Sequence, residues 1–410
     1  MTLIPNSEAD AAYVIRNAAA EGKTLALCGN NTRSGFGNAV ETSETVSSRG
    51  LSGIVDYEPA EMVMTVKSGT PVAEVEAALA ANRQMMSFEP MDHRGIMAAR
   101  GAPLGAPAGE PTIGGVFAAN VSGPRRFVSG AARDSLLGIR FVNGKGEVIR
   151  AGGRVMKNVT GLDLVKLLAG SHGTLGFLTE VTFRVLPVPP VVETIVISGL
   201  WDDAVAAKAM AAAMAMPVEV SGAAHLPASV VGRFLGGVLP EGEATVLRLE
   251  GLAASVPVRA EKLAAVMEAF GPVSRLGMEN SQTLWREIRD VHPYADGSQR
   301  PLWRVSVAPS AGHQIVAALR LEAGVDAFYD WQGGLIWMRM EADPEAELLR
   351  RYIRALGGGH ATLVRASDAI QAQTAAFEPL PDAVAALSAR VKQKLDPAGI
   401  FSPGKMGGTL

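Results

Sequence analysis

Three glycine-rich segments within the first half of the chain constrain its fold more than any other feature. The first, Gly29-Asn30-Asn31-Thr32-Arg33-Ser34-Gly35, follows a short apolar stretch at residues 24–27. The second is Thr112-Ile113-Gly114-Gly115, running on to Asn120, Ser122 and Gly123, and the third is Gly170-Ser171-His172-Gly173-Thr174-Leu175-Gly176. Backbone approaches an anion closely only where side chains are absent, and successive exposed N–H groups form a concave anion site. Any one of these segments also reads as a surface turn of small residues. Three together exceed what a mononucleotide needs and fit a dinucleotide held between two lobes.

The usual dinucleotide and nucleotide folds can be tested directly. No G-x-G-x-x-G stands where a strand enters a helix, and Gly144-Lys145-Gly146 is better used as a hairpin turn. G-x-x-x-x-G-K-[ST] is absent too. A non-Rossmann dinucleotide fold is what remains.

Local signals supply the frame. Ser7 and Asp10 open a helix that Gly22 closes. Residues 53–57 and 62–67 read as strands, and Thr70-Pro71 as an N-cap with proline at the first helical position of a helix over 72–81. Residues 87–131 sustain no period and are crowded with Gly, Pro and Ala, which is unusual unless the stretch wraps something. Strands at 137–142 and 147–150 flank the hairpin turn, and another follows at 177–186. Pro187-Val188-Pro189-Pro190 marks a boundary. Beyond it, strands at 194–198, 244–250, 303–307, 326–329 and 335–340 alternate with helices near 203–214, 259–270, 281–291, 311–321 and 344–356. That order predicts an α+β unit on a mostly antiparallel sheet. A final helix spans 382–395.

Composition narrows the function classes. Hydrophobic residues make up 48% and charged residues 19% of 410, with net charge −3, which points away from nucleic acid and anionic membrane surfaces. Cys28 is the single cysteine, so the chain cannot ligate an iron–sulfur cluster on its own, and electrons would need an organic cofactor or a partner. No basic-then-apolar leader and no run of ~18 apolar residues occurs. The expectation is a cytoplasmic protein that meets a membrane only through a complex.

The segment Thr112-Ile-Gly-Gly-Val-Phe-Ala-Ala-Asn-Val-Ser-Gly-Pro-Arg-Arg, with Val155-Met156-Lys157-Asn158-Val159-Thr160-Gly161 and Gly170-Ser-His-Gly-Thr-Leu-Gly-Phe-Leu-Thr-Glu180, closely resembles the two-lobed FAD-binding domain of the vanillyl-alcohol-oxidase (p-cresol methylhydroxylase, PCMH-type) superfamily. Within it, the chain looks most like the FAD-binding subunits of glycolate oxidase. The likeness covers about residues 1–190 and continues weakly to Asp396-Pro397 and Pro403-Gly404-Lys405. It implies an FAD domain at 1–188 (lobes about 1–50 and 51–188), an α+β cap at 189–380, and a helix and tail at 381–410 that return to the FAD domain. It also implies that Gly29, Asn30, Asn31, Thr32, Arg33 and Ser34 form the pyrophosphate loop. Thr112, Gly114 and Gly115 would hold the pyrophosphate and ribityl region, and Asn120, Ser122 and Gly123 would lie along the flavin. Gly173, Thr174 and Gly176 would approach by backbone, with Leu178 near the adenine. The loop lacks the histidine through which some relatives bond FAD, and Cys28 reads as a small buried hydrophobe, so non-covalent binding is expected. The implied partners are a catalytic flavoprotein subunit, an iron–sulfur subunit and a small 2-hydroxy acid such as glycolate.

Acid–base equipment is harder to find. Relatives that oxidise D-2-hydroxy acids carry His-x-Gly-Asp-Gly-Asn in the cap; this chain has no such motif, and its six histidines are scattered, so no metal site is expected. His292, at the end of a helix bearing Arg286 and Arg289, is the best-placed candidate, although a helix C-terminus favours histidine without any further role. Arg126, beside Arg125, can bind an acid substrate or simply pair with carboxylates. Lys405 resembles a position near the active site in relatives. Trp303, Trp331 and Trp337 read as core.

Overall fold

The computed structural model describes residues 1–97, 109–154 and 161–408. Part of the 87–131 stretch and the Val155–Thr160 motif therefore lie outside the described residues. The first helix forms as its caps dictate. Ser7 accepts from the Asp10 N–H, and Gly22 closes Glu8–Glu21 in the left-handed region at φ 64°. This helix packs on a parallel three-stranded sheet ordered Thr2–Leu3, Glu44–Ser47, Leu25–Cys28. A second sheet of five strands is antiparallel, in the order Ile54–Glu58, Val63–Lys67, Phe177–Arg184, Leu136–Val142, Val148–Gly152. The hairpin turn behaves as read: Asn143 Oδ1 accepts from the N–H groups of Lys145 and Glu147, both at 3.0 Å.

The C-terminal part is built on eight antiparallel strands, in the order Val273–Leu276, Val191–Ser198, Ala244–Gly251, Val220–Leu226, Val325–Asp330, Leu335–Met340, Leu302–Val307, Gly359–Arg365. Side chains alternate between its faces. Ile195 and Ile197 pack under helices Asp203–Ala215 and Val256–Met267, while Val196 turns to the opposite face. Ala327 and Ile336 likewise pack under Pro309–Arg320, and Phe328 and Trp337 face the other way. That second face shares one core with Phe88, Phe117 and Phe183 of the N-terminal part. The sheet is therefore closed by helices on one side and by the glycine-rich half on the other.

The α+β class holds, with local differences. Strands Val220–Leu226, Val273–Leu276 and Gly359–Arg365 carry no alternating pattern, and the first is a run of small residues buried on both faces. Thr70 does not cap the helix Val72–Ala80; Pro71 occupies that position, and Thr70 Oγ1 instead donates to the Lys67 carbonyl at 2.7 Å. The helix read at 281–291 is Met278–Arg289, and His292 opens a separate 3₁₀ turn after Val291 in the left-handed region. A helix, Ile113–Ala118, interrupts the stretch expected to be irregular.

After the helix Asp382–Leu395 the tail crosses back to the first sheet. Leu25 N–H donates to the Ile400 carbonyl at 2.7 Å and Ser402 N–H to the Leu25 carbonyl at 2.9 Å. Lys392 locks this return: its Nζ donates to the Thr174 and Phe401 carbonyls and pairs with Asp396 at 2.7 Å, all buried. Among the described residues, no helix is long and apolar enough to cross a membrane.

Candidate functional site

Strand Leu25–Cys28 ends at Gly29, and the chain turns through residues 30–34 with Asn31 in the left-handed region at φ 63°. Among the described residues, the backbone N–H groups from Gly29 to Arg33 meet no backbone acceptor. They are an anion nest. A Cβ on Gly29 would stand only 2.9 Å from Thr112 Cγ2, so only glycine lets the loop close on that segment. Thr112 in turn accepts from the Gly115 N–H through Oγ1 and caps Ile113–Ala118. Gly173, at φ 77°, passes against Leu27.

These folds bring the three glycine-rich segments to one cleft. Its walls include Gly29, Asn30, Asn31, Thr32, Arg33, Ser34, Thr112, Gly114, Gly115, Gly173, Gly176 and Leu178. Thr174 is not in the wall; its Oγ1 donates to the Ser171 carbonyl at 2.8 Å and its carbonyl receives Lys392. Cys28 lies in the wall, and burial pushes its thiol up, which keeps it protonated and unreactive at neutral pH. Lys405 reaches the cleft from the returning tail.

A second cavity adjoins the first and shares Arg33, Ala119 and His172 with it. It lies between residues 119–126 and the open face of the eight-stranded sheet. Asn120, Ser122 and Gly123 line this chamber, not the cleft. Asn120 Oδ1 accepts from the Arg133 N–H, and Ser122 Oγ from the Ala132 N–H, both at 2.9 Å.

The chamber is strongly cationic. Arg33, Arg126, Arg133, Arg289 and Arg304 line it against one carboxyl, Asp330. The Arg125-Arg126 pair splits between its two readings. Arg125 turns away, with Nε donating to Glu250 at 2.8 Å, while Arg126 faces the chamber and has no ion pair among the described residues. Arg304 has none either, and burial with the nearby Arg126 charge lowers it to about 10, still cationic at neutral pH. Arg33 Nε donates to His93 Nδ1 at 3.1 Å, which fixes that ring in its neutral form; burial holds His93 well below its usual range. His172 stacks on Phe36 at 5.1 Å, and burial, then Lys405 and Arg33, press it down to about 3. His360 sits at the rim, held low by burial and by Arg304 and Arg126.

The other nominated side chains lie elsewhere. His292 is exposed and lines neither cavity. Arg286 borders a separate pocket beside Trp285 and Arg248. All three tryptophans are buried in hydrophobic cores as read; Trp303 Nε1 donates to the Pro344 carbonyl at 2.8 Å, and Trp331 and Trp337 line the chamber as well. Asp330, Arg304 and His360 carried no sequence signal, since each belongs to a cap strand or its end. Among the described residues, no three His, Cys, Asp or Glu side chains gather as a metal site would require.

Comparison with known proteins agrees with this geometry. Residues 1–152 match the FAD-binding domain family. In fold, the chain aligns with p-cresol methylhydroxylase (TM-score 0.69, 14% identity, 99% of this chain and 88% of that one). A 4-ethylphenol oxidase from Gulosibacter chungangensis aligns similarly (TM-score 0.68, 14% identity, 99% and 88%). The fold is therefore of the PCMH type, with an FAD-binding domain at its N-terminal end, and FAD is the cofactor. The residues fit it: a run of N–H groups that meet no backbone acceptor among the described residues, the Arg33 cation beside them, and glycines where a Cβ would fill the space.

At the level of sequence, 391 residues are 33% identical to glycolate oxidase subunit GlcE of Escherichia coli, covering 95% of both chains. The chain belongs to this family of FAD-linked glycolate oxidase subunits. Shorter matches run to D-2-hydroxyglutarate dehydrogenase of Xanthomonas citri (31% over 188 residues, 46% of this chain and 37% of that one) and to glycolate oxidase subunit GlcD of Bacillus subtilis (40% over 84 residues, 20% and 18%).

Proposed function

We propose that this chain is the FAD-bearing subunit of a multi-subunit glycolate (2-hydroxy acid) oxidoreductase that forms glyoxylate. It would work beside a catalytic flavoprotein subunit and an iron–sulfur subunit, in the cytoplasm, touching a membrane only through that complex. The observation that carries the reading is a chamber, adjoining the FAD cleft, lined by two half-buried arginines that have no ion pair among the described residues. A carboxylate is the anion that such a pair recognises best, by charge-assisted and bidentate hydrogen bonds.

FAD, held non-covalently by residues 29–34, by Thr112, Gly114 and Gly115, and by Gly173, Gly176 and Leu178, would supply the hydride acceptor. The protein's own part is binding and proton handling. Arg126 and Arg304 take the carboxylate and so set the direction of the hydroxyl-bearing carbon. His360 is neutral at pH 7 and can accept the hydroxyl proton, and Asp330, pushed up to about 7, is a second group in the chamber able to exchange one. Arg33 stands between nest and chamber, where it offsets negative charge at the cofactor end. Lack of a cluster-binding motif in the chain is what calls for the iron–sulfur partner.

The test is flavin content, assembly and substrate reduction of the purified chain. The expected result is a yellow protein that takes up FAD, joins a larger complex with its partner proteins, and supports glycolate turnover there. A chain that stays alone and oxidises glycolate at the full rate would be a self-sufficient dehydrogenase. A colourless chain that refuses added FAD would be an assembly module only.

A further inference from the structure

The strands Val325–Asp330 and Leu335–Met340 are joined by a turn in which two successive non-glycine residues, Trp331 and Gln332, occupy the left-handed region at φ 49° and 63°. Glycine or asparagine is the ordinary choice at such positions, and strain of this kind persists only where the surroundings hold it. Here it is held at both ends. The Asp330 carboxylate accepts the Trp331 backbone N–H at 2.7 Å, and the indole Nε1 donates to the Gly123 carbonyl at 3.0 Å, across the junction with the N-terminal half.

The strained turn places the largest side chain available into the chamber wall. Over its ring lie the guanidinium of Arg126, from the N-terminal half, at 4.8 Å and that of Arg304, from the cap strand Leu302–Val307, at 5.0 Å. Two cations brought this close repel, and neither has a carboxylate partner among the described residues. The face of an indole is the best neutral surface for holding a guanidinium, because its quadrupole is negative there. It holds both arginines without neutralising either, as a pairing carboxylate would.

We propose that Trp331 is a positioning residue for substrate: its indole holds Arg126 and Arg304, one from each half of the molecule, as a two-sided clamp for the carboxylate of a small 2-hydroxy acid. This rests on reading the chamber as the substrate site. Without the ring, both side chains are free to swing, with Asp330 the nearest carboxyl in the wall. With it, they stay charged, planar and unpaired.

The test is calorimetric titration of the FAD-loaded protein with oxalate, a small carboxylate that cannot be oxidised at a C–H bond, so binding is read without turnover. Trp331→Leu should weaken oxalate about tenfold or more, and Trp331→Phe, which restores a ring face, should recover most of that loss. Arg304→Lys, which keeps the charge but not the planar stack, should also lose about tenfold and leaves the strained turn untouched if the leucine variant does not fold. In assembled enzyme, the same changes should raise KM for glycolate more than they lower kcat. Leucine or lysine variants that bind oxalate as the parent does would overturn the clamp alone. A parent that retains FAD but binds no oxalate would overturn the clamp and the carboxylate reading of the chamber together, leaving FAD binding intact.

Discussion

Replacing Asp330 by asparagine removes an acid that the fold holds in an unfavourable place. Asp330 is 2% exposed. Burial is the main force on its carboxyl, Glu89 adds to it, and the Trp331 N–H, Arg248 and Arg304 offset it only in part, so the group is pushed up to about 7. An ordinary aspartate titrates near ~3.9, and at ~1.36 kcal/mol per pH unit the gap amounts to roughly 4 kcal/mol. Because the native carboxyl is raised, the native state binds the extra proton between the two values. This group's contribution to stability is therefore greatest below about pH 4, falls as pH rises, and levels off above about pH 7.

Asparagine cannot ionise, yet its carbonyl can still accept the Trp331 N–H. About 1.5 kcal/mol of the penalty is already present at pH 5, so the variant should gain roughly 3 kcal/mol on the parent between about pH 5 and pH 8. For a chain of 410 residues, with unfolding entropy of ~2.1 cal/mol/K per residue, that is about 3 °C in Tm. Thermal unfolding of both FAD-loaded proteins at the two pH values, at one ionic strength, reads it directly. His93 and His172, buried and neutral, act in the opposite sense but are common to both proteins. A parent–variant difference that is the same at both pH values would refute the argument, as would a parent that gains on the variant as pH rises.

Two further outcomes follow from the packing. Gly29→Val drives a side chain into Thr112, and opening the nest should weaken FAD by about tenfold or more, read by quenching of flavin fluorescence on titration. Lys392→Met leaves Asp396 buried without its cation, at a cost of about 3–5 kcal/mol that should appear as a lowered Tm with easier proteolysis of the tail.

How much of the site was legible depended on whether its chemistry is local. The nest at residues 29–34 and the turns at 112–115 and 173–176 could be found from composition, because glycine acts through its own backbone wherever the chain goes. Cap strands with alternating or strongly apolar residues were legible for the same reason. The strand Val220–Leu226 was not, since its small residues are buried on both faces and show no period. His292 and Arg286 looked well placed on their helix, yet the helix docks with Leu284, Trp285 and Ile288 inward, which leaves His292 in solvent and Arg286 on another pocket.

By itself, the sequence determined that this chain makes a glycine-lined cradle for a dinucleotide, that the cradle is not a Rossmann fold, and that an α+β unit follows it. Only the tertiary structure decided what stands beside the cofactor. Trp303 and Trp331 are alike as letters in the cap, but one closes the core and the other carries two arginines. The arginines come from residues 126 and 304, and the carboxyl near them from residue 330. A clamp built from such distant positions leaves no spacing to read, because it exists only once the open face of the eight-stranded sheet lies against the segment after Ile113–Ala118.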